Sequence, residues 1–186
     1  MNEALVLQSP TAPKALFLLF HGVGASQHDL APLGARLAHE FPEAAVVSVP
    51  APDDSDLGRG LQWFSVLGVT ESNRPQRVAA TLPRFLDTVR HWQQRLGVAP
   101  AGTTLLGFSQ GAIMALEAAH AQPAVAARVH FLHGTADPVI PAAQAEAAAR
   151  RLEELKAGVT LDVLPGLGHG INRQAEDLLV QRLRQP

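Results

Sequence analysis

Apolar residues in this chain occur in short continuous runs, and longer stretches between the runs carry an apolar residue every three or four positions. Six of the runs are rich in branched side chains: residues 5–7, 15–20, 45–49, 103–106, 129–132 and 161–164. Continuous apolar character without alternation is typical of strands that are buried on both faces of a mostly parallel sheet. The pattern therefore predicts an α/β fold, with a sheet of about six strands and helices on both of its faces.

Two of the stretches, residues 29–41 and 75–96, have apolar residues on one stripe, which predicts amphipathic helices. Residues 141–156, which are rich in alanine, and residues 176–184 are predicted as two further helices. Pro75 suits the first turn of the second helix, but Pro83 falls inside it and predicts a kink or a break there. Residues 50–60 form the one long loop signal. A loop of that length in a compact domain is often functional.

Length and composition indicate one globular domain over residues 1–186, because 186 residues with 47% hydrophobic content suffice for one core and are few for two. The formal net charge is −2, and no basic run with interleaved aromatics occurs, so nucleic acid is not expected as a partner. Cysteine is absent, which excludes disulfides, thiolate metal sites and a thiol nucleophile. We expect a monomer or a homodimer that acts on a small molecule.

The first residues lack the basic region and the long apolar core of a signal peptide, so a cytoplasmic location is expected. The longest apolar run, residues 15–20, is too short to span a bilayer. No membrane span is therefore predicted.

Residues 107–111, Gly-Phe-Ser-Gln-Gly, follow a predicted strand and precede a helical stretch. A strand, a G-x-S-x-G turn and a helix make a nucleophile elbow, in which the serine takes a strained conformation and its hydroxyl is exposed above the sheet edge. The helix N-terminus supplies partial positive charge and the backbone N–H of Gln110, both directed at a developing oxyanion. Ser109 is therefore the candidate nucleophile.

A serine hydroxyl needs a histidine base, and that histidine needs a carboxylate to hold its tautomer. In hydrolases with this elbow, the acid and then the histidine follow the serine along the chain. His169 is the only histidine beyond the acid candidate Asp137, and each residue follows a predicted strand. Asp162 lies within a strand and Asp177 within the last helix, so neither suits the role. A turn or helix-cap role for Asp137 before Pro138 is compatible with catalysis.

Residues 20–24, Phe-His-Gly-Val-Gly, follow the second predicted strand and resemble the segment that supplies a second oxyanion donor, here the backbone N–H of Val23. A dinucleotide fingerprint is the alternative, but Gln27 stands where its third glycine should be, and no acidic residue ends the next strand. Trp63 is either a core residue or a wall of an acyl pocket, and Leu167 is a second candidate for that wall.

Together these residues resemble the serine α/β-hydrolases of the carboxylesterase and acyl-protein thioesterase group, and especially the small bacterial esterases. The resemblance rests on residues 19–24, 62–65, 107–112, 133–139 and 168–169, in the family's order. It implies an α/β-hydrolase fold and hydrolysis of short- or medium-chain acyl esters or thioesters through an acyl-enzyme on Ser109. It implies no metal and no organic cofactor. A non-catalytic ligand-binding protein of the same fold is the alternative from another class.

The chain departs from this family between the nucleophile and the acid. Members usually carry another strand and a pocket-covering loop there, whereas only residues 111–128 intervene here. One family strand is therefore predicted to be missing. The strand of residues 129–132 should then lie immediately beside that of residues 103–106.

Overall fold

The computed structural model of the chain describes residues 3–122, 125, 129–154 and 159–185. Its contacts divide the chain into two compact units, Met1–Ala127 and Arg128–Pro186. The prediction of a single domain over residues 1–186 stays a prediction, as does the adjacency of the strands at residues 103–106 and 129–132. No helix among the described residues is long and apolar enough to cross a membrane.

In its described residues, the first unit contains a four-stranded sheet, a short hairpin and three α-helices. Its strands are β1 (Leu5–Gln8), β2 (Ala15–Phe20), β3 (Ala44–Val49), β4 (Asp53–Asp54), β5 (Leu61–Gln62) and β6 (Thr103–Gly107), and its helices are α1 (Ala31–Glu40), α2 (Arg74–Leu96) and α3 (Gln110–Ala121). The sheet order is β1-β3-β2-β6. Strand β1 is antiparallel to β3, while β2 runs parallel to both β3 and β6. The prediction of a mostly parallel sheet is therefore confirmed.

Both central strands, β2 and β3, are buried on both faces, as their continuous apolar character predicted. Leu16, Leu18 and Phe20 on one face of β2 pack in a cluster with side chains of α2 and α3. Phe17 points to the other face and meets the ring of Phe41, directly after α1, with ring centroids 5.1 Å apart. Helices thus cover both faces of this sheet.

Helix α2 runs through Pro83 without interruption, so the predicted break at this residue is wrong. A proline in a helix leaves the carbonyl four residues earlier without its donor. Here that carbonyl belongs to Ala79, and both Ala79 and Pro83 are exposed, so water can bind the carbonyl oxygen and the helix continues.

The second unit contains two parallel strands, β7 (Val129–Gly134) and β8 (Val159–Leu164), with helices α4 (Ala142–Glu154) and α5 (Arg173–Leu183). Both predicted strands and both predicted helices are present. Helix α5 begins before the predicted residue 176 because the Asn172 side chain caps it and accepts a 2.9 Å hydrogen bond from the N–H of Ala175. The end predicted for α4, residues 155 and 156, lies outside the described residues.

Candidate active site

Ser109 lies between the end of β6 and the start of α3, where the elbow motif placed it. Its backbone has φ 51° and ψ −116°. Among the described residues it is the only one other than glycine with a positive φ. Such a conformation costs about 1–3 kcal/mol and persists only where the surrounding structure enforces it. The strained turn is the geometry that a nucleophile elbow requires.

The glycines at both ends of the motif allow backbone to approach backbone. A Cβ on Gly111 would overlap the carbonyl oxygen of Phe20, and a Cβ on Gly107 would overlap the backbone of Ala112. Neither obstacle is a flexible side chain that could move away. Only glycine therefore lets the strand, the turn and the neighbouring end of β2 come this close.

The loop after β2 lies beside the elbow. The N–H of Phe108 donates to the carbonyl of Phe20 over 2.9 Å, and a Cβ built on Gly22 would lie 3.1 Å from the Cβ of Ser109. Within residues 3–122, the backbone N–H groups of Val23 and Gln110 have no hydrogen-bond acceptor. Two N–H groups on segments that flank a serine are the donors that an oxyanion hole needs.

Trp63 lies in the core of the first unit, with only 2% of its surface exposed. Its ring meets Phe20 and Phe85 edge to face, at centroid distances of 5.5 and 5.3 Å. A side chain so buried offers almost no surface to a ligand. Of the two interpretations that the sequence left open for Trp63, this burial favours the core residue over the pocket wall.

In the second unit, the loops that follow β7 and β8 meet. A Cβ on Gly134 would overlap the carbonyl oxygen of Leu167, and the same carbonyl accepts a 3.0 Å hydrogen bond from the N–H of Ala136. Because parallel strands end at the same sheet edge, these loops bring Asp137 and His169 together. The pocket role of Leu167 stays a prediction.

His169 Nδ1 donates a 2.8 Å hydrogen bond to Oδ2 of Asp137. The Asp137 side chain is 6% exposed and that of His169 21%. With its proton on Nδ1, a neutral imidazole carries its basic lone pair on Nε2. The pair thus has the geometry in which a carboxylate sets the tautomer of a general base.

The second oxygen of Asp137 is also bonded. Its Oδ1 accepts the backbone N–H groups of Val139 and Ile140 at 2.8 and 2.9 Å. Burial opposes a charge on this carboxylate, but the hydrogen bonds from Ile140, His169 and Val139 outweigh it and hold the pKa of Asp137 below its ordinary value. Asp137 is therefore ionised at neutral pH.

His133 lies beside this pair, although the sequence indicated no role for it. Its Nε2 donates to the carbonyl of Ile140 over 2.8 Å and lies 3.7 Å from Oδ2 of Asp137. The ring thereby fixes the turn whose amides bind Asp137. The only sequence signal was its position at the end of a strand, four residues before the acid.

The competing aspartate, Asp162, is bonded to Arg182 through both of its oxygens, at 2.6 and 2.7 Å. The Arg182 guanidinium lowers the pKa of Asp162. This ion pair joins β8 to α5 and accounts for Asp162 without catalysis. Among the described residues, no group of three or more His, Cys, Asp or Glu side chains is arranged to hold a metal ion.

Comparison with known proteins identifies the class. The family model described as phospholipase/carboxylesterase matches residues 1–130, so the chain belongs to that family of α/β-hydrolases. It is therefore a hydrolase of the carboxylesterase family. The predicted fold class is confirmed with it.

Particular relatives agree with this assignment. The chain is 42% identical to esterase YpfH of Escherichia coli K12 over 204 residues, which cover 98% of this chain and 88% of the relative. Among solved structures it is similar to esterase PE8, with a TM-score of 0.86 and 27% identity over 98% of this chain and 96% of that one. The carboxylesterase of Bacillus cereus shares the fold at 20% identity, with a TM-score of 0.78 over 97% and 92% of the two chains.

Proposed function

We propose that this protein hydrolyses short- or medium-chain carboxylic esters through an acyl-enzyme on Ser109, with Asp137 and His169 as the other members of its catalytic triad. The observation that carries the proposal is the 2.8 Å hydrogen bond from His169 Nδ1 to Asp137, because it prepares a base for a serine held in a strained elbow. Esterase YpfH and esterase PE8, to which the chain is similar, support this substrate class by their names.

The proposal requires the two units to form one α/β-hydrolase domain over residues 1–186. Support comes from the likeness to esterase PE8, which extends over 98% of the chain at a TM-score of 0.86. The match to YpfH also covers 98% of the chain. The cytoplasmic location and the monomeric or dimeric state stay predictions.

In the proposed mechanism, His169 Nε2 takes the proton of Ser109 as Oγ attacks the ester carbonyl carbon. The carbonyl electron pair moves onto oxygen, and the N–H groups of Val23 and Gln110 bind the resulting oxyanion. When the tetrahedral intermediate collapses, His169 gives its proton to the departing alkoxide. Water, deprotonated by His169, then attacks the acyl-enzyme. As this second intermediate collapses, the bond between the acyl carbon and Ser109 Oγ breaks, His169 returns its proton to Oγ, and the acid leaves. Asp137 stays ionised and stabilises the imidazolium in both halves of the reaction.

A fluorophosphonate reagent should label the native protein at Ser109 with one adduct per chain, because only an activated serine attacks phosphorus quickly. Intact-mass spectrometry gives the stoichiometry and peptide mapping gives the position. Protein unfolded in urea should give no adduct. An unlabelled native protein would instead favour a non-catalytic ligand-binding role, and a label on another residue would refute the assignment of Ser109.

Discrimination by acyl length should be weak. The aligned region shared with YpfH, 204 residues, is longer than this 186-residue chain, so the relative carries residues that are missing here. If the missing residues belong to the segment of residues 111–128, the acyl site is more open than in other members of the family. A closed pocket gains about 0.8 kcal/mol per buried CH₂, which is roughly tenfold or more in kcat/KM for the two additional methylenes of butyrate over acetate.

We therefore expect less than about a tenfold preference for p-nitrophenyl butyrate over the acetate, and no further gain with the hexanoate. Matched thioesters assayed in parallel separate esterase from thioesterase activity, since the two chemistries use the same catalytic parts. A steep rise from acetate to hexanoate would contradict the open site and would assign a covering role to another segment, with the loop of residues 50–60 as the first candidate.

A further inference from the structure

The two proposed oxyanion donors lie on different segments of the first unit. The N–H of Val23 belongs to the loop after β2, whereas that of Gln110 belongs to the first residue of α3. An oxyanion hole works only if both donors are held about 2.7–3.1 Å from the position that the oxyanion will occupy. Whatever fixes the distance between these segments therefore affects the rate of the chemical step.

The side chain of Gln110 is buried, with 3% of the residue exposed, and both ends of its amide are bonded to backbone. Its Oε1 accepts the N–H of Trp63 at 2.7 Å, and its Nε2 donates to the carbonyl of Phe64 at 2.7 Å. The two bonds need one acceptor and one donor at the end of one side chain, and an amide provides both. They attach the start of α3 to the Trp63–Phe64 segment.

That segment is attached in turn to the loop after β2. The indole Nε1 of Trp63 donates a 2.9 Å hydrogen bond to the carbonyl of His21. The His21 ring, itself fully buried, accepts the N–H of Ala51 at Nε2 and donates from Nδ1 to the carbonyl of Gly22. The hydrogen bond to Gly22 therefore holds the residue directly before Val23.

The charge state of His21 fits these contacts. Burial lowers the pKa of His21, and the hydrogen bond to Gly22 opposes this shift only in part. A neutral ring has one donor and one acceptor nitrogen, which are the groups that Gly22 and Ala51 require. The loop carrying Val23 is thus held by a satisfied buried network.

We propose that the side chains of Gln110 and Trp63 are positioning groups of the oxyanion hole. Their hydrogen bonds form a bridge, Gln110 to Trp63 to His21, that holds the two donor segments in register. This inference rests on the proposed function, because it assumes that the N–H groups of Val23 and Gln110 bind the oxyanion. It assigns to these two side chains an effect on kcat that requires neither of them to contact the substrate.

The Gln110→Met variant tests the bridge. Methionine is similar in size and keeps the backbone N–H, but it makes neither hydrogen bond of the amide. Loss of one oxyanion donor costs about 10²–10³ in kcat, so displacement of a donor should cost about 10- to 100-fold. KM for p-nitrophenyl butyrate should stay within about threefold, because an interaction made only in the transition state is lost.

Butylboronic acid supplies an independent readout, since it forms a tetrahedral adduct on an activated serine. Its dissociation constant should rise by the same factor by which kcat/KM falls, as expected of a transition-state analogue. A purely structural defect would lower the amount of folded enzyme and leave the affinity of the remaining fraction unchanged.

Trp63→Phe removes the indole N–H together with part of the ring volume, and it keeps an aromatic ring beside Phe20 and Phe85. It should lower kcat several-fold, with the same rise in the boronate dissociation constant. The double variant should lose less than the product of the two single losses, because both substitutions break one bridge. If Gln110→Met does not fold, as judged by circular dichroism, Trp63→Phe alone decides the question.

Matched controls come from the same unit. Gln93 is 8% exposed and donates from Nε2 to Oγ1 of Thr103 over 3.1 Å, and Trp92 belongs to the same core as Trp63. Gln93→Met and Trp92→Phe should lower the melting temperature comparably, with unchanged kcat and boronate affinity.

Unchanged kcat and boronate affinity in folded Gln110→Met and Trp63→Phe would overturn the bridge while leaving the proposed function intact. Failure of the proposed function would look different, because the wild-type protein itself would neither turn over the ester nor bind the boronate.

Discussion

Replacement of Ser109 by alanine should lower kcat on p-nitrophenyl butyrate by about six orders of magnitude, to a level set by the remaining groups of the site. The alanine keeps the elbow backbone but has no oxygen to attack the carbonyl, so no acyl-enzyme forms. Hydrolysis can then proceed only by direct attack of water. Steady-state assays with enzyme purified away from host esterases measure the loss.

Ser48→Ala is a matched control for this substitution. Ser48 is fully buried in β3, and among the described residues its Oγ is the one buried side-chain polar atom that has no hydrogen-bond partner. Removing an unsatisfied hydroxyl should leave the melting temperature equal or higher, and activity unchanged. If Ser109→Ala retained more than about 1% of wild-type turnover, another nucleophile would have to carry the reaction.

Replacement of Asp137 by asparagine should lower kcat by about four orders of magnitude. The asparagine Oδ1 can still accept the N–H groups of Val139 and Ile140, so the turn is kept. Its NH₂ then faces Nδ1 of His169 and needs an acceptor there, which moves the imidazole proton to Nε2. A ring protonated on Nε2 cannot take the proton of Ser109. The measurement is kcat across pH 6–9, with circular dichroism to show that the variant is folded.

The pH dependence of the free energy of unfolding tests the loss of the Asp137 charge in this variant. Because the pKa of this carboxyl is lowered in the folded chain, its ionised form stabilises the fold above the unfolded pKa of about 3.9, and the stabilisation is lost as the pH falls through the folded pKa. The difference in free energy of unfolding between wild type and Asp137→Asn should therefore shrink between pH 7 and pH 3.

Urea titrations at both pH values measure that difference, and Asp87→Asn, with a side chain 75% exposed, serves as the surface control. A loss of less than tenfold in kcat for Asp137→Asn would show that a different carboxylate orients the base. Asp162 would be the first alternative to examine, although its two oxygens are engaged by Arg182.

The strands and long helices could be predicted from apolar periodicity because burial imposes it directly. Strands β2 and β3 are buried on both faces and read as continuous apolar runs. The hairpin of β4 and β5 could not be predicted, since two-residue strands are too short to show a period. The uninterrupted course of α2 through Pro83 was not predicted, because a proline inside a helix usually kinks or ends it, whereas here Ala79 and Pro83 are both exposed and the helix continues.

The candidate site was predictable where chain order and strand ends limit the choices. Asp137 and His169 follow adjacent parallel strands, and the structure joins them by a hydrogen bond as expected. The contact of His133 with the acid turn and the bridge through the Gln110 side chain were not predictable. Gln110 and Trp63 are 47 residues apart, so no local pattern indicates their hydrogen bond. The bond from His133 to Ile140 spans only seven residues, but it depends on how the turn after β7 folds back, which the sequence pattern does not indicate.

The positive φ of Ser109 has a consequence for the way this enzyme can be improved. Its strained backbone is a local cost that glycine would avoid, so the nucleophile is less favourable than glycine for the stability of its own position. A screen that rewards only heat resistance will therefore tend to discard the residue on which turnover depends. Selection for durability and selection for activity act in opposite directions at Ser109, and directed evolution of this chain must apply both at once.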